Sequence, residues 1–220
     1  MKQRTWLKIG LALTVLASQS EAAEAVVLFD GSSLDAFSSK DGGPPAPGWV
    51  IEDGALHRAE KAGDLISKAE FSDFQLDWEW KVGEGGNSGV KYWVTPIKGQ
   101  MLGLEYQLID DERHSDAKKG GNRQTAALYD IKAPNADKPV RKAGEWNTSR
   151  IVVKGGGIQH WLNGELVMEI DTQSEDWKQR LAASKYQKYE GFAPGHGHIL
   201  LQDHQDPVWF RNIRVTDLSE

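Results

Sequence analysis

The sequence predicts an all-β protein, an antiparallel jelly-roll β-sandwich with one short helix near residues 174–183. Three observations support this prediction: several stretches alternate strictly between apolar and polar residues, 23 glycines supply turns between them, and helical periodicity is sparse. Nine tryptophans among 220 residues agree with it, because strands favour large aromatic side chains. A closed barrel is the alternative that these patterns leave open.

The N-terminus has the layout of an export signal. Three basic residues among the first eight precede an apolar stretch at residues 9–17, and Ala23 and Ala25 frame a small-residue cleavage site. The stretch is shorter than the ~20 residues of a membrane-spanning helix, and no cysteine follows that could carry a lipid. We expect residues 1–25 to be a signal peptide and residues 26–220 to form one domain, secreted or periplasmic and without a membrane anchor. An ordinary N-terminal helix is the alternative.

Composition excludes several classes of function. Residues 1–25 carry three basic and two acidic side chains, so their removal takes the formal net charge from −6 to −7. Nucleic-acid binding depends on basic patches, and we expect no nucleic-acid partner. The absence of cysteine excludes disulfides, thiolate catalysis and cysteine-ligated metals.

The individual elements follow from alternation and turn residues. The predicted strands are residues 74–82, 89–94, 104–109, 150–154, 159–162, 165–170, 198–204 and 208–215, with a short strand-like piece at 127–131. Glycines at 155–157 and the Asn163-Gly164 pair indicate two tight hairpin turns, because these residues tolerate positive φ. Ser174 is a helix N-cap, and Trp177 and Leu181 follow at helical spacing.

Polar side chains with site chemistry alternate along the strand 104–109. Its even-numbered residues are apolar and would face the core, whereas Glu105 and Gln107 would face the other side. A charged side chain inside a sheet needs either water or a polar ligand on its face. On the neighbouring strand, Lys91 and Trp93 are expected to share that face.

The late strand can contribute two more polar groups, Gln202 and His204, if it lies in the same sheet. Amides, a carboxylate and an imidazole beside an aromatic ring suit a sugar, which offers hydroxyls to pair and apolar faces to stack. Two plainer interpretations stay open: Glu105 faces solvent, or Lys91 pairs with Glu105 as a structural ion pair.

The loop that follows residue 109 adds Asp110, Asp111 and His114 at a strand end, where site residues often lie. A divalent cation is possible there, although carboxylates with one histidine suit many ions or none, and the metal stays unknown. The sequence contains no glycine-rich phosphate loop, zinc signature or serine nucleophile elbow.

Seven ordered motifs give the chain a family resemblance over about residues 27–215. They are LFDG at 28–31, GNSGVKY at 86–92, GLEYQLIDDERH at 103–114, GEWN at 144–147, HWLNG at 160–164, GHILLQDH at 197–204 and FRNI at 210–213. With these motifs the sequence resembles the 3-keto-disaccharide hydrolase domain family. It departs at Gln205, where relatives usually carry glycine.

The resemblance implies a concanavalin A-like lectin/glucanase jelly roll that binds its ligand on the concave sheet. It also implies an exported enzyme that acts on a glycoside or disaccharide already oxidised to a ketone at sugar carbon 3. Such a ketone acidifies the hydrogen on carbon 2, so a base can start β-elimination of the carbon 1 substituent, and water then adds back.

We therefore assign hypothetical roles. The predicted catalytic residues are Glu105 and His204, as base and acid in either order, with Lys91, Gln107 or a cation near Asp110 stabilising the enolate oxygen. The predicted substrate-binding residues are Asn87, Trp93, Gln107, His114, Trp161, Gln202 and Arg211. Two alternatives remain: a conventional two-carboxylate glycosidase, in which Asp110 or Glu79 would assist Glu105, and a non-catalytic carbohydrate-binding module.

Overall fold

The structure is a computed structural model that describes residues 25–219. The predicted signal peptide lies outside these residues except for Ala25, which begins the first strand. No helix within 25–219 is long and apolar enough to cross a membrane.

Thirteen strands within the described range form two antiparallel sheets. In chain order they are β1 Ala25–Phe29, β2 Phe37–Ser38, β3 Trp49–Glu52, β4 Ala55–Arg58, β5 Leu65–Phe71, β6 Phe74–Val82, β7 Asn87–Ile97, β8 Gln100–Ile109, β9 Asn147–Lys154, β10 Gly157–Leu162, β11 Glu165–Asp171, β12 Gly197–Leu201 and β13 Val208–Asp217. The larger sheet has the order β11-β10-β9-β6-β13-β4-β3, with β1 paired to β13. The smaller sheet has the order β2-β5-β12-β7-β8.

The predicted all-β sandwich is confirmed, and its core lies between the two sheets. Strand β6 alternates as the sequence predicts, so that Leu76, Trp78 and Trp80 are buried while the intervening polar residues are half-buried. Tyr106 of β8 packs edge-on against Trp78, with ring centroids 5.0 Å apart, and joins the two sheets. The opposite face of the smaller sheet carries a small buried apolar cluster of Ile66, Val94 and Leu200 and, beside it, a polar hollow.

Both predicted hairpin turns form. Gly155 and Gly156 have φ of 57° and 89° between β9 and β10. Asn163 and Gly164 have φ of 49° and 89° between β10 and β11, as a two-residue turn with both positions left-handed requires.

The predicted helix is also present, as α1 at Glu175–Ala183. The Ser174 hydroxyl accepts a hydrogen bond from the Trp177 N–H at 3.1 Å, which caps the first turn. Trp177 is the buried residue of this helix. A 3-10 turn, Lys185–Lys188, follows directly and is capped by Ser184 in the same way.

Three predicted details are wrong. Strand β12 ends at Leu201 rather than at residue 204, because the next residues turn away to bind other loops. Residues 127–131 form isolated bridges to β8 and within their own loop rather than a strand. Strand β7 contains a bulge between Tyr92 and Thr95, which reverses the side-chain alternation beyond it.

One histidine is part of the core. His160 on β10 is fully buried, its Nε2 lies 3.0 Å from the Tyr92 hydroxyl, and its Nδ1 lies 3.0 Å from the carbonyl of Ala126. A neutral ring protonated at Nδ1 satisfies both contacts, since it donates to the carbonyl and accepts from the hydroxyl. Burial lowers the pKa of His160 to about 3. His160 thereby fastens the long loop between β8 and β9 to the core.

Candidate active site

A cavity of about 320 Å³ lies on the outward face of the smaller sheet. It is lined by Asn87, Lys91, Gln100, Leu102, Gly103, Glu105, Gln107, Tyr129, Lys185, Tyr186, Lys188, Tyr189, Gln202 and His204. Two strands, β7 and β8, and three connecting segments therefore converge on one hollow, with a volume at the low end of the range typical of small-ligand sites.

Glu105 lies at the centre of the cavity floor. The β7–β8 register places it directly opposite Lys91, and Lys91 Nζ lies 3.9 Å from Glu105 Oε2. Glu105 is only 5% exposed, although it is a carboxylate. In the described part of the chain, Lys91 is the one cation within 4 Å of this carboxylate. A desolvated carboxylate with one loose partner can accept a proton from a bound ligand.

Gly89 creates the space that this carboxylate occupies. A methyl group at Gly89 would lie 2.6 Å from Glu105 Oε1 and 3.1 Å from its Cδ. The carboxylate therefore lies against the bare backbone of β7, and any larger residue at position 89 must displace it.

We expect Gly89→Ala to fold but to lose about 10²-fold in kcat/KM on the 3-keto-glycoside that the sequence analysis predicts as substrate. Misplacing a reacting group by about 1 Å has a cost of this order. Glu105 is a flexible side chain, so it moves aside and the sheet need not. The measurement pairs kcat/KM with thermal unfolding. Gly43→Ala is the matched control, because a methyl group there makes only ordinary contact, 3.4 Å from Ser39 Oγ. Wild-type activity in Gly89→Ala would show that the carboxylate position does not matter.

Amide side chains form one end of the cavity. The side-chain oxygens of Asn87, Gln107 and Gln202 are buried and have no hydrogen-bond partner among the described residues. Buried acceptors without partners are costly, so these amides gain by turning toward the hydroxyl groups of a ligand in the cavity. His204 lies beside them, with Nε2 3.4 Å from Asn87 Nδ2, and its side chain is 47% exposed.

The loop that presents Gln202 and His204 is held by a buried ion pair. Asp203 accepts a hydrogen bond from Arg58 Nε at 2.7 Å and two from the backbone N–H groups of residues 62 and 63 at 2.8 Å. These bonds hold the pKa of Asp203 below its ordinary value, against the opposing effect of burial. Gln205 follows with φ of 73°, a left-handed conformation that favours glycine.

Aromatic rings and two lysines form the other end, which the sequence analysis missed. Tyr129 comes from the β8–β9 loop, whereas Lys185, Tyr186, Lys188 and Tyr189 come from the 3-10 turn and the residue after it. Neither segment has a strand or helix periodicity that would indicate its direction. A cluster of tyrosines and lysines at residues 185–189 was the available signal.

An ionic network holds this end in place. Arg123 donates to the Tyr129 hydroxyl at 2.7 Å and to Asp130 at 2.6 Å, and the Tyr129 hydroxyl donates to Asp116 at 2.8 Å. The second oxygen of Asp130 accepts the backbone N–H of Lys185 at 2.8 Å. The loop after β8 and the turn after α1 are thereby tied together at this end of the cavity.

Four predicted substrate-binding residues do not line the cavity: Trp93, His114, Trp161 and Arg211. Trp93 has φ of 50° at the β7 bulge and is buried in the core, where its indole N–H donates to the carbonyl of Ser72 at 2.9 Å. Trp161 and Arg211 lie on β10 and β13 of the larger sheet. Trp161 borders a different hollow, and Arg211 pairs with Glu79 at 2.6 Å. Trp161 and Arg211 were expected beside Glu105 because the sequence did not say which sheet their strands join, whereas Trp93 is turned away by the bulge in β7.

Asp110 is also outside the cavity lining. Its two oxygens accept hydrogen bonds from the backbone N–H groups of Gly85, Glu112 and Arg113 at 2.8 to 3.2 Å, so the carboxylate closes a turn, and it borders a different hollow. His114 lies nearer, its ring centroid 6.2 Å from that of His204. Residues 25–219 contain no group of three or more His, Asp or Glu side chains arranged to hold a metal ion. The catalytic and binding roles of the remaining residues stay predictions.

Comparison with known proteins gives concordant matches. Residues 24–216 match the family described as the 3-keto-alpha-glucoside-1,2-lyase-like domain. A 3-keto-disaccharide hydrolase of Bacteroides thetaiotaomicron is 34% identical, over 88% of this chain and 78% of the relative. The crystal structure of a candidate glycosyl hydrolase from Parabacteroides distasonis superposes with a TM-score of 0.82 at 32% identity, covering 93% of this chain and 99% of the other.

A more distant likeness concerns the fold alone. A Bacillus subtilis protein of unknown function with a galectin-like fold superposes with a TM-score of 0.51 at 15% identity, over 79% of this chain and 87% of the other.

Proposed function

The chain belongs to the 3-keto-alpha-glucoside-1,2-lyase-like domain family, and we propose that it hydrolyses 3-keto-glycosides or 3-keto-disaccharides by β-elimination and rehydration. One observation carries the mechanism: among the described residues that line the cavity, Glu105 is the one carboxylate. A chemistry that uses a single base is therefore favoured. The names of the relatives support the substrate class, since one names a lyase and the other a hydrolase of 3-keto sugars.

In the proposed reaction, the Glu105 carboxylate removes the proton from carbon 2, which the ketone at carbon 3 has acidified. The electron pair of the broken C–H bond moves onto the ketone oxygen as an enolate, and Lys91 offsets the new charge. The carbonyl then re-forms, a double bond forms between carbons 1 and 2, and the bond from carbon 1 to the leaving oxygen breaks. Water then adds across this double bond, with its hydroxyl to carbon 1 and a proton returned to carbon 2, which gives the net hydrolysis.

The amide end of the cavity binds the sugar ring in this proposal. The side-chain amides of Asn87, Gln107 and Gln202 line the cavity and form hydrogen bonds with sugar hydroxyls. His204 contacts the same ring and positions it. Glu105 is assigned as the base in preference to His204, because it is buried at the cavity centre whereas the imidazole is about half exposed.

A two-carboxylate glycosidase is less well supported. Its second carboxylate would have to face Glu105 at a defined separation. Asp110 is occupied by backbone N–H groups, and Glu79 lies on the larger sheet, bound to Arg211 and Asn212. A non-catalytic binding module would need neither a buried base nor three lysines around it. Export, as the N-terminal sequence predicts, remains part of the proposal.

The test of this function is a hydrogen-isotope measurement. We expect turnover of a 3-keto-disaccharide and none of the unmodified disaccharide, because only the ketone acidifies carbon 2. Deuterium at carbon 2 should slow kcat/KM, and the unlabelled substrate should exchange that hydrogen with heavy water. Cleavage of the unmodified disaccharide with no isotope effect would support the two-carboxylate alternative, and binding without turnover would support the module.

A further inference from the structure

The two ends of the cavity differ in chemistry, and strand register fixes their order. Gly89 pairs with Gln107, and Lys91 pairs with Glu105. Gln107 of the amide end and Glu105 are therefore two residues apart on the same face of β8. The β7–β8 turn lies further on, where Lys98 Nζ donates to the carbonyl of Lys188 at 3.2 Å. Glu105 therefore lies between the amides and the tyrosine–lysine end.

Lys185 belongs to that aromatic end and lines the cavity together with Glu105. Its ammonium lies 4.2 Å from the ring centroid of Tyr129 and 4.9 Å from that of Tyr186. Within residues 25–219 it has no carboxylate at salt-bridge distance, whereas Lys91 has Glu105. The backbone of Lys185 is fixed by Asp130. Lys185 is thus a cation that is held by rings and has its protons free.

The surroundings make this ammonium a stronger acid than an ordinary lysine. Desolvation lowers the pKa of Lys185, although the residue as a whole is exposed. The negative charges of Glu105 and Asp130 oppose this change, and the positive charges of Lys91 and Arg123 reinforce it. A proton on this nitrogen is therefore easier to transfer.

We propose that Lys185 is the general acid that protonates the departing oxygen, and that the aromatic end holds the leaving group of the glycoside. This inference rests on the function proposed above. If the amide end binds the oxidised ring and Glu105 reaches its carbon 2, the carbon 1 substituent extends toward Lys185 and Tyr189. As the bond from carbon 1 to oxygen breaks, the oxygen takes the electron pair and one ammonium proton, and it leaves as an alcohol. The neutral amine then regains a proton from protonated Glu105 or from water.

The test compares two leaving groups. A nitrophenolate leaves without protonation, whereas an alkoxide needs an acid. We expect Lys185→Met to lose at least about 10²-fold in kcat/KM on methyl 3-keto-glucoside and little on nitrophenyl 3-keto-glucoside. Exchange of the carbon 2 hydrogen with heavy water should persist, because it precedes departure of the oxygen.

Two further variants keep the test decisive. Lys185→Arg retains a cation between the rings but gives up protons poorly, so it should show the same dependence on leaving group even if Lys185→Met is unstable. Lys178→Met on α1 is the control, since its ammonium pairs with Glu175 outside the cavity. Equal losses on both substrates, or no loss on either, would overturn the proposal. If wild-type protein turned over neither 3-keto substrate and exchanged no hydrogen, the proposed function itself would fail.

Discussion

Glu105→Gln is expected to lower kcat/KM on a 3-keto-disaccharide by about 10³-fold, within the range that removal of a general base produces. The amide has nearly the same shape as the carboxylate, so it still fits over Gly89. It cannot accept the proton from carbon 2. We expect the loss in kcat rather than in KM, because the sugar hydroxyls are bound by other side chains.

The measurement is steady-state kinetics with exchange of the carbon 2 hydrogen recorded in parallel, since both need the same base. Glu70→Gln is the matched control: Glu70 lies on β5 of the same sheet, is exposed and contacts His198 rather than the cavity. If Glu105→Gln kept more than about a tenth of its activity while His204→Asn abolished exchange, the base would be the imidazole, and the order of roles would be reversed.

Alternation within single strands made half of this site predictable. The pattern of β8 placed Glu105 and Gln107 on one face, and the pattern of β7 placed Lys91 beside them, as the observed register confirms. Each inference needed only the two-residue repeat of side chains along a strand and the correct expectation that β7 and β8 are neighbours.

The same rule failed where the backbone departed from a regular strand. Trp93 was expected on the face of Lys91, but the bulge adds a residue with φ of 50° and turns its indole into the core. Val94 then packs with Ile66 and Leu200 in a small apolar cluster, apart from the main core. This bulge leaves little trace in the sequence, because its residue with positive φ is Trp93, and tryptophan rarely adopts that conformation.

The aromatic end was unpredictable for a different reason. Tyr129 and Lys185 are 56 residues apart and lie in segments without periodicity. Their meeting depends on Arg123 and on Asp130, which binds both the guanidinium and the backbone of the other segment. Ion pairs between loops depend on side-chain geometry, which neither composition nor spacing encodes.

The second large effect concerns stability toward acid. His160 has a pKa of about 3 in the folded protein and an ordinary value of 6.5. Because the folded pKa is the lower one, the stabilisation is complete above pH 6.5 and is lost as pH falls toward 3. Between pH 6.5 and 3 the imidazole of the unfolded chain takes up a proton, whereas the buried imidazole of the folded protein does not. We expect His160 to reduce the free energy of unfolding by about 2 kcal/mol at pH 5 and by over about 4 kcal/mol near pH 3.

Urea unfolding at pH 7.5, 6 and 5 would measure this dependence. His160→Asn is expected to be less stable than wild type at pH 7.5, because the smaller side chain leaves a gap between Tyr92 and Ala126. Its stability should fall less between pH 7.5 and 5, because asparagine does not titrate. The exposed His196 gives the control His196→Asn, which should keep the wild-type pH dependence. If the free energy of unfolding of His160→Asn fell with pH as steeply as that of the wild type, protonation of the buried ring in the wild type would carry no cost in stability. The core would then have to open around the ring well above pH 3.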